Sequence, residues 1–272
     1  MTFDKKIGVA GCGRMGLPMA RAIKRSGITV HGFDIRRESE FGDFTSHMIT
    51  DPAEFAQSCE ILFTVVRNND QTDALLFDEQ ALLKIPNSFK TLVISSTLSP
   101  NYLETVKARA PAGLTLIDAP MSGAAVAADE AHLSFMLGGD DAALDELQPL
   151  FYTMGTRFHR MGPFGAGMTA KVLNNYVAAA SVVVNRQAFL WADQLGIDRE
   201  RLRALMHDSS GQSWFGSRYN KIEFARDGYD SDNSIGILKK DVECCIDCVE
   251  GDLSEPLNAA ILDRLANMKQ DI

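Results

Sequence analysis

The chain has 272 residues, 46% of them apolar, with 36 acidic against 27 basic side chains and a net charge of −9. Its length suits two domains rather than one core or three. Nucleic acid is not expected as a partner, because no Lys/Arg cluster exceeds a pair or an interrupted triplet, nor is a membrane, because no apolar stretch nears bilayer-spanning length.

The N-terminus, Met1-Thr-Phe-Asp-Lys-Lys, leads into the apolar run Lys6-Ile-Gly-Val-Ala10 with no signal-peptide hydrophobic region, so a cytoplasmic location is expected. The loop Gly11-Cys12-Gly13-Arg14-Met15-Gly16 follows, and then Leu17-Pro-Met-Ala-Arg-Ala-Ile-Lys, with helical spacing that stops at Ser26-Gly27. Strand, tight turn and helix therefore come in the order that the dinucleotide-binding fingerprint requires. Gly11 permits the turn, Gly13 lets the backbone approach a pyrophosphate, Gly16 lets helix and strand pack closely, and the helix N-terminus favours negative charge. The next strand, Thr29–Asp34, ends in a carboxylate suited to the ribose hydroxyls, which favours NAD. Arg36 and Arg37 follow at once and attract a 2′-phosphate, so NADP is disfavoured without being excluded.

Further strands are expected at Ile61–Val66, Thr91–Ser95 and Thr115–Asp118, with a helix over Asn101–Ala110. Regular alternation of this kind predicts a doubly wound parallel sheet. Leu133–Leu137 and Arg157–His159, on either side of the helical Asp141–Phe151, extend it. From Met168 to Leu195 there is no glycine or proline, so one helix of about 28 residues is predicted, about 42 Å at the standard rise. The rest, with helices near Arg199–His207, Ile235–Glu250 and Glu255–Met268, reads as all-helical. The expected architecture is an α/β Rossmann domain over residues 1–162, then an all-α domain over residues 163–272, joined by the long helix.

Five cysteines, one of them inside the glycine loop, do not suit a disulfide framework. Cys245 and Cys248 have a Cys-x-x-Cys spacing but no second Cys/His pair nearby, and the five histidines are scattered, so no metal site is expected. Lys171 and Asn175 lie one helical turn apart near the start of the long helix. A hydride-transferring enzyme acting on an alcohol needs a group to take the hydroxyl proton, and no histidine or tyrosine stands in a suggestive motif. Lys171 is the best-placed candidate, provided that burial and nearby positive charge lower its pKa. Trp214 and Phe215, in a Gly/Ser-rich loop, either wall a small pocket or pack a core or dimer contact.

Four motifs carry a resemblance through most of the chain: Gly11-Cys-Gly-Arg-Met-Gly-Leu-Pro-Met-Ala20, Asp118-Ala-Pro-Met-Ser122-Gly123, Gly165–Asn175 and Lys240-Asp241. In this order they resemble the β-hydroxyacid dehydrogenase family, which includes 3-hydroxyisobutyrate dehydrogenase, tartronate semialdehyde reductase and glyoxylate/succinic semialdehyde reductases. The resemblance implies an NAD(P)-dependent enzyme that interconverts a small 3-hydroxyacid and its semialdehyde. It implies Lys171 as general acid/base, Asn175 as the residue that orients the substrate, and Ser122 with the Gly123 backbone as the carboxylate grip. Val66, Arg67, Thr97 and Lys240 would line the cofactor, and Lys240 would add positive charge near Lys171. It also implies a homodimer or homotetramer; an apolar stripe of Val172, Val177, Ala180, Val184 and Ala188 fits that use or packing within its own domain. The chain departs from the family at Ala124, where a second glycine is usual, at Arg67, where a proline is common, and in ending at Ile272, earlier than usual. Imine reduction on the same architecture is a rival that Lys171 argues against, since such relatives typically carry aspartate or tyrosine there. A non-catalytic dinucleotide sensor is the other.

Overall fold

A computed structural model describes residues 3–219 and 234–268. The chain divides into two compact units, Met1–Lys171 and Val172–Ile272.

The first unit is built on one sheet. Strands β1 (Ile7–Ala10), β2 (Val30–Phe33), β3 (Ile61–Thr64), β4 (Thr91–Ile94) and β5 (Thr115–Asp118) are all parallel, in the order β2-β1-β3-β4-β5. Their sequences are near-continuous apolar runs because both faces of the sheet are covered. Side chains alternate between the two faces. Ile7, Val9, Ile61, Phe63, Val93 and Ile117 join one core with Met19 and Ile23 of helix α1 (Gly16–Arg25). Ala10, Leu62, Leu92 and Ile94 join the other, with Phe55 of α2 (Pro52–Ser58), Leu75 and Leu76 of α3 (Asn69–Leu76), and Leu103 and Val106 of α4 (Pro100–Arg109).

The sheet is not wholly parallel. After β6 (Met121–Ser122) and α5 (Ala124–Asp129), β7 (Leu133–Gly138) runs antiparallel to both β5 and β6, and α6 (Asp141–Phe151) then leads to β8 (Gly155–Gly162), parallel to β7. The short β6 and α5 are not evident from periodicity, being two and six residues long.

The second unit, among the described residues, contains only helices. They are α7 (Ala166–Gln194), whose first turn and a half belongs to the first unit, α8 (Arg199–His207), α9 (Trp214–Arg218), α10 (Ser234–Cys248) and α11 (Pro256–Ala266). Val182, Phe189 and Phe215 form one small core; Ala179, Val242, Ile246, Ile261 and Leu265 form another. The stripe expected along α7 does not share one environment: Val172 is fully buried whereas Val177 and Val184 are exposed. The exposed apolar positions of this helix are Leu173, Val177, Val184, Leu190 and Trp191. Among the described residues no helix is long and apolar enough to cross a membrane.

Candidate active site

The parallel register aligns the carboxyl ends of the strands: Ala10 pairs with Phe33 and Thr64, Thr64 with Ile94, and Ile94 with Asp118. Gly11, Asp34, Val66, Arg67 and Thr97 all follow these ends and so share one edge of the sheet. In sheets of this order, ligands bind outside the carboxyl ends where the winding direction reverses, here between β1 and β3.

Two glycines of the loop are fixed by sterics and one by something else. A Cβ on Gly16 would lie 2.1 Å from the Gly11 carbonyl oxygen, and one on Gly11, at φ +92°, would lie 2.6 Å from the Val65 carbonyl oxygen. A Cβ on Gly13 would meet nothing within 4 Å, which leaves that backbone open to an incoming group. The start of α1 is open too. Helices α2, α3, α4, α6 and α8 each begin with a side chain accepting from the first-turn N–H groups, from Asp51, Asn68, Ser99, Asp140 and Asp198 respectively. Met15, at the N-cap of α1, supplies no such bond, and the first turn holds no acidic residue. A helix N-terminus with neither a side-chain cap nor a carboxylate, beside an open glycine, suits a pyrophosphate, so the residues present fit NAD(P).

Around this cradle, Arg14 is exposed and Met15 is half-buried against the core. Cys12 turns its side chain inward, where the thiol donates to the Val9 carbonyl at 3.4 Å and burial pushes its pKa up to about 12. It is a neutral packing group whose backbone alone faces the loop. The Asp34 carboxylate is engaged by Arg36, whose own pKa is raised chiefly by that hydrogen bond. The Val66 N–H donates to Ser96 Oγ at 2.8 Å and the Arg67 N–H to Gln71 Oε1 at 3.0 Å. Arg67 is exposed and Thr97 half-buried.

Ser122 ends β6, paired with Ser134 of β7, and is half-buried. Gly123 follows at φ +141°, where a Cβ would lie 2.6 Å from Ala127 Cβ, so only glycine makes this turn. Ala124 opens α5 in helical conformation, where a second glycine is not demanded by the backbone.

Lys171 and Asn175 are both nearly buried, at 7% and 8% exposure, one turn apart on α7. Asn175 Nδ2 donates to Asp241 Oδ2 at 2.6 Å, and its Oδ1 accepts from Asn174 at 3.1 Å. Lys240 Nζ lies 3.0 Å from the other oxygen of Asp241, on α10. This contact is an ion pair. Trp214 is half-exposed, whereas Phe215 is fully buried and meets Tyr219 edge-on at 5.5 Å. The Phe215 ring thus joins a small core of the helical unit.

Two carboxylates stand out that sequence reasoning did not single out. Asp241 was visible only as half of a dipeptide motif. Asp118, fully buried at the end of β5, accepts from the N–H of Gly165 at 2.7 Å and of Met168 at 2.5 Å. It thereby caps the first turn of the helix that carries Lys171. Burial raises its pKa to about 6 against the opposing pull of these N–H donors. Space for it exists because Gly138 and Gly167 lack side chains: a Cβ on either would lie 2.2 Å or 2.9 Å from an Asp118 oxygen.

Comparison with known proteins identifies the family. Residues 6–162 match the NAD-binding domain of 6-phosphogluconate dehydrogenase, and residues 165–271 match the NAD-binding domain of NADP-dependent 3-hydroxyisobutyrate dehydrogenase. The L-threonate dehydrogenase of Cupriavidus necator is 29% identical over 264 residues, covering 95% of this chain and 88% of that protein. The NAD-dependent L-serine dehydrogenase of Pseudomonas aeruginosa is 30% identical over 79% of this chain and 74% of its own. The solved structure of Mycobacterium tuberculosis 3-hydroxyisobutyrate dehydrogenase with L-serine superposes with a TM-score of 0.81, at 26% identity over 97% of this chain and 93% of that one. The chain therefore belongs to the β-hydroxyacid dehydrogenase family, as an NAD(P)-binding oxidoreductase that acts on the CH–OH group of a hydroxyacid.

Proposed function

We propose that the protein interconverts a small 3-hydroxyacid of the 3-hydroxyisobutyrate type and its semialdehyde, with Lys171 as general acid/base. The observation that carries this reading is the burial of Lys171, at 7% exposure, on the second turn of a helix whose first turn is capped by Asp118. Lysine is rarely buried unless paired, and a lysine that transfers protons near neutral pH needs a site partly shielded from water. Bound NAD(P) supplies the hydride acceptor in the oxidising direction. Lys171 Nζ takes the proton of the 3-hydroxyl as that oxidation proceeds, and returns it when a semialdehyde is reduced. Ser122 Oγ and the Gly123 N–H hold the substrate carboxylate, a pairing of hydroxyl and amide donors with an anion. Asn175 retains one N–H and one lone pair beyond its bonds to Asp241 and Asn174, enough to orient the substrate hydroxyl. Lys240 lines the cofactor side, and its ion pair with Asp241 links it to Asn175.

The test is Lys171→Ala. Turnover should fall by about 10²–10⁴-fold, the range of general acid–base catalysis, while dinucleotide affinity measured by titration stays within about twofold. A variant that keeps near-normal kcat refutes the assignment. For the substrate, kcat/KM with 3-hydroxyisobutyrate, L-serine and L-threonate, each with NAD and NADP, should rank 3-hydroxyisobutyrate first; a higher value for L-threonate replaces the assigned substrate. A homodimer or homotetramer is part of the same reading, supported by the exposed Leu173, Val177, Val184 and Trp191 on α7. Light scattering that gives a monomer mass removes that part.

A further inference from the structure

The start of α7 is tied to the sheet and not to its own chain. Helices α2, α3, α4, α6 and α8 each take their N-terminal acceptor from the residue just before them, and a cap of that kind leaves a helix end free to move with its loop. The first turn of α7 takes its acceptors from β5, 47 and 50 positions back: Asp118 Oδ1 accepts from the Gly165 N–H and Oδ2 from the Met168 N–H. Two oxygens of one carboxylate hold the turn at two points, which fixes its rotation as well as its distance. Two further contacts close the same joint. Met168 is fully buried, and its Sδ accepts from the Leu98 N–H at 3.4 Å. Gly167 backs onto β7 so closely that a Cβ there would lie 2.5 Å from the Met136 carbonyl oxygen.

The chain on either side of this joint carries the chemistry. Lys171 lies one turn beyond Met168, about 4.5 Å along the helix axis, in the same compact unit as Asp118. On the other side Asp118 runs through Ala119, Pro120 and Met121 into Ser122, and the Pro120 carbonyl accepts from the Met136 N–H at 3.0 Å. Asp118 thus joins the segment that ends in Ser122 and Gly123 to the turn that precedes Lys171. It is kept there at a cost. Burial pushes its pKa up to about 6, so near neutral pH the fold holds an anion that weakens it. The anion alone presents both oxygens as full acceptors.

We propose that Asp118 is a positioning residue for the hydroxyacid reaction: by gripping the first turn of α7 with both oxygens it sets where Lys171 stands relative to Ser122 and Gly123. The distance from the proton acceptor to the substrate hydroxyl then depends on a carboxylate that touches neither substrate nor cofactor. This rests on Lys171 as the general acid/base.

The experiment is steady-state kinetics of the full chain near neutral pH, with whichever of 3-hydroxyisobutyrate, L-serine and L-threonate gives the highest kcat/KM, together with NADH titration by nicotinamide fluorescence. Asp118→Asn keeps the size but turns an amide N–H towards one of the two backbone donors, so one bond is lost and the turn can shift. Its kcat should fall about 10- to 100-fold, the effect of a displacement of about 1 Å at a reacting group, while KM and NADH affinity stay within about threefold. The second arm is the same substitution in Lys171→Ala. With the base gone its place no longer matters, so the double variant should keep the residual rate of Lys171→Ala within about twofold. Gly167→Ala retains the carboxylate and pushes the turn off β7; it should lower kcat by at least about tenfold, and it decides the matter where Asp118→Asn does not fold. A folded Asp118→Asn or Gly167→Ala with kcat within about twofold of wild type overturns the proposal. So does a loss of NADH affinity equal to the loss of kcat, or the same fold loss from Asp118→Asn with and without Lys171. A near-normal kcat in Lys171→Ala removes the base and this role with it, and is seen without any change at Asp118.

Discussion

Asp118→Asn should flatten part of the pH dependence of stability. In the folded chain the carboxyl titrates at about 6, against an ordinary value of 3.8, because burial at the end of β5 outweighs the N–H bonds from Gly165 and Met168. The folded value lies above the unfolded one. The contribution to stability is therefore complete below about pH 3.8 and is lost as the pH rises through about 6. With 1.36 kcal/mol for each unit of difference, the loss is about 3 kcal/mol. Asparagine keeps the size and one acceptor but does not titrate. Urea unfolding of wild type and Asp118→Asn at a series of pH values from about 4 to 8 isolates the group, because every other carboxylate cancels in the difference. The wild type should lose about 2.5 kcal/mol of this relative to the variant over that interval. A difference that stays flat would mean that the N–H donors at the start of α7 hold the anion at least as well as water does, and that burial does not dominate. Asp118→Ala provides the second arm: it strips the acceptor from the Met168 and Gly165 N–H groups, and should destabilise by about 2–4 kcal/mol near pH 4, a difference that narrows as the pH rises because alanine does not titrate either.

The glycine loop should separate binding from folding. Gly13→Ala meets no atom within 4 Å and should leave the urea midpoint nearly unchanged while weakening dinucleotide binding at least about tenfold; equal affinity would remove Gly13 from the cradle. Gly16→Ala drives a Cβ to 2.1 Å from a backbone oxygen and should instead lower stability by about 2 kcal/mol or more, which thermal unfolding reads directly. Phe215→Ala should cost about 3–5 kcal/mol of stability through its cavity; native stability in that variant would refute its packing role. Cys12, fully buried with a pKa pushed up to about 12, should resist iodoacetamide at pH 8 in the folded chain and react only on denaturation.

The parallel strands were legible because burial on both faces writes each as an unbroken apolar run. Ile61–Thr64 and Thr91–Ile94 are the plainest, and both match the expectation to within two residues at one end. The long helix was legible because no glycine or proline interrupts it. What escaped the sequence was non-local. The bonds that cap α7 connect residues 47 and 50 positions apart, and nothing in the local spacing of Asp118 announces them. The antiparallel turn of β7 depends on the two-residue β6 before it, too short to carry a period. The hydrogen bonds of Arg36 to Asp34 and to the Cys12 carbonyl were equally hidden, because nearness in sequence does not say which neighbours a guanidinium will choose. Phe215 sat beside serines and glycines, a context of loops, yet its ring fills a helical core.

The cap on α7 bears on how the chain can be cut. The nucleotide-binding fold is complete by motif at Gly162, yet Met168 fills its core beside Leu98 and Ile94, and its N–H holds Asp118. A fragment ending at Gly162 would open a hole in that core and strand a buried carboxyl with no donor from the helix. The smallest piece that can fold as a dinucleotide-binding protein must therefore run on through Met168, into the same helix that carries Lys171 in its next turn.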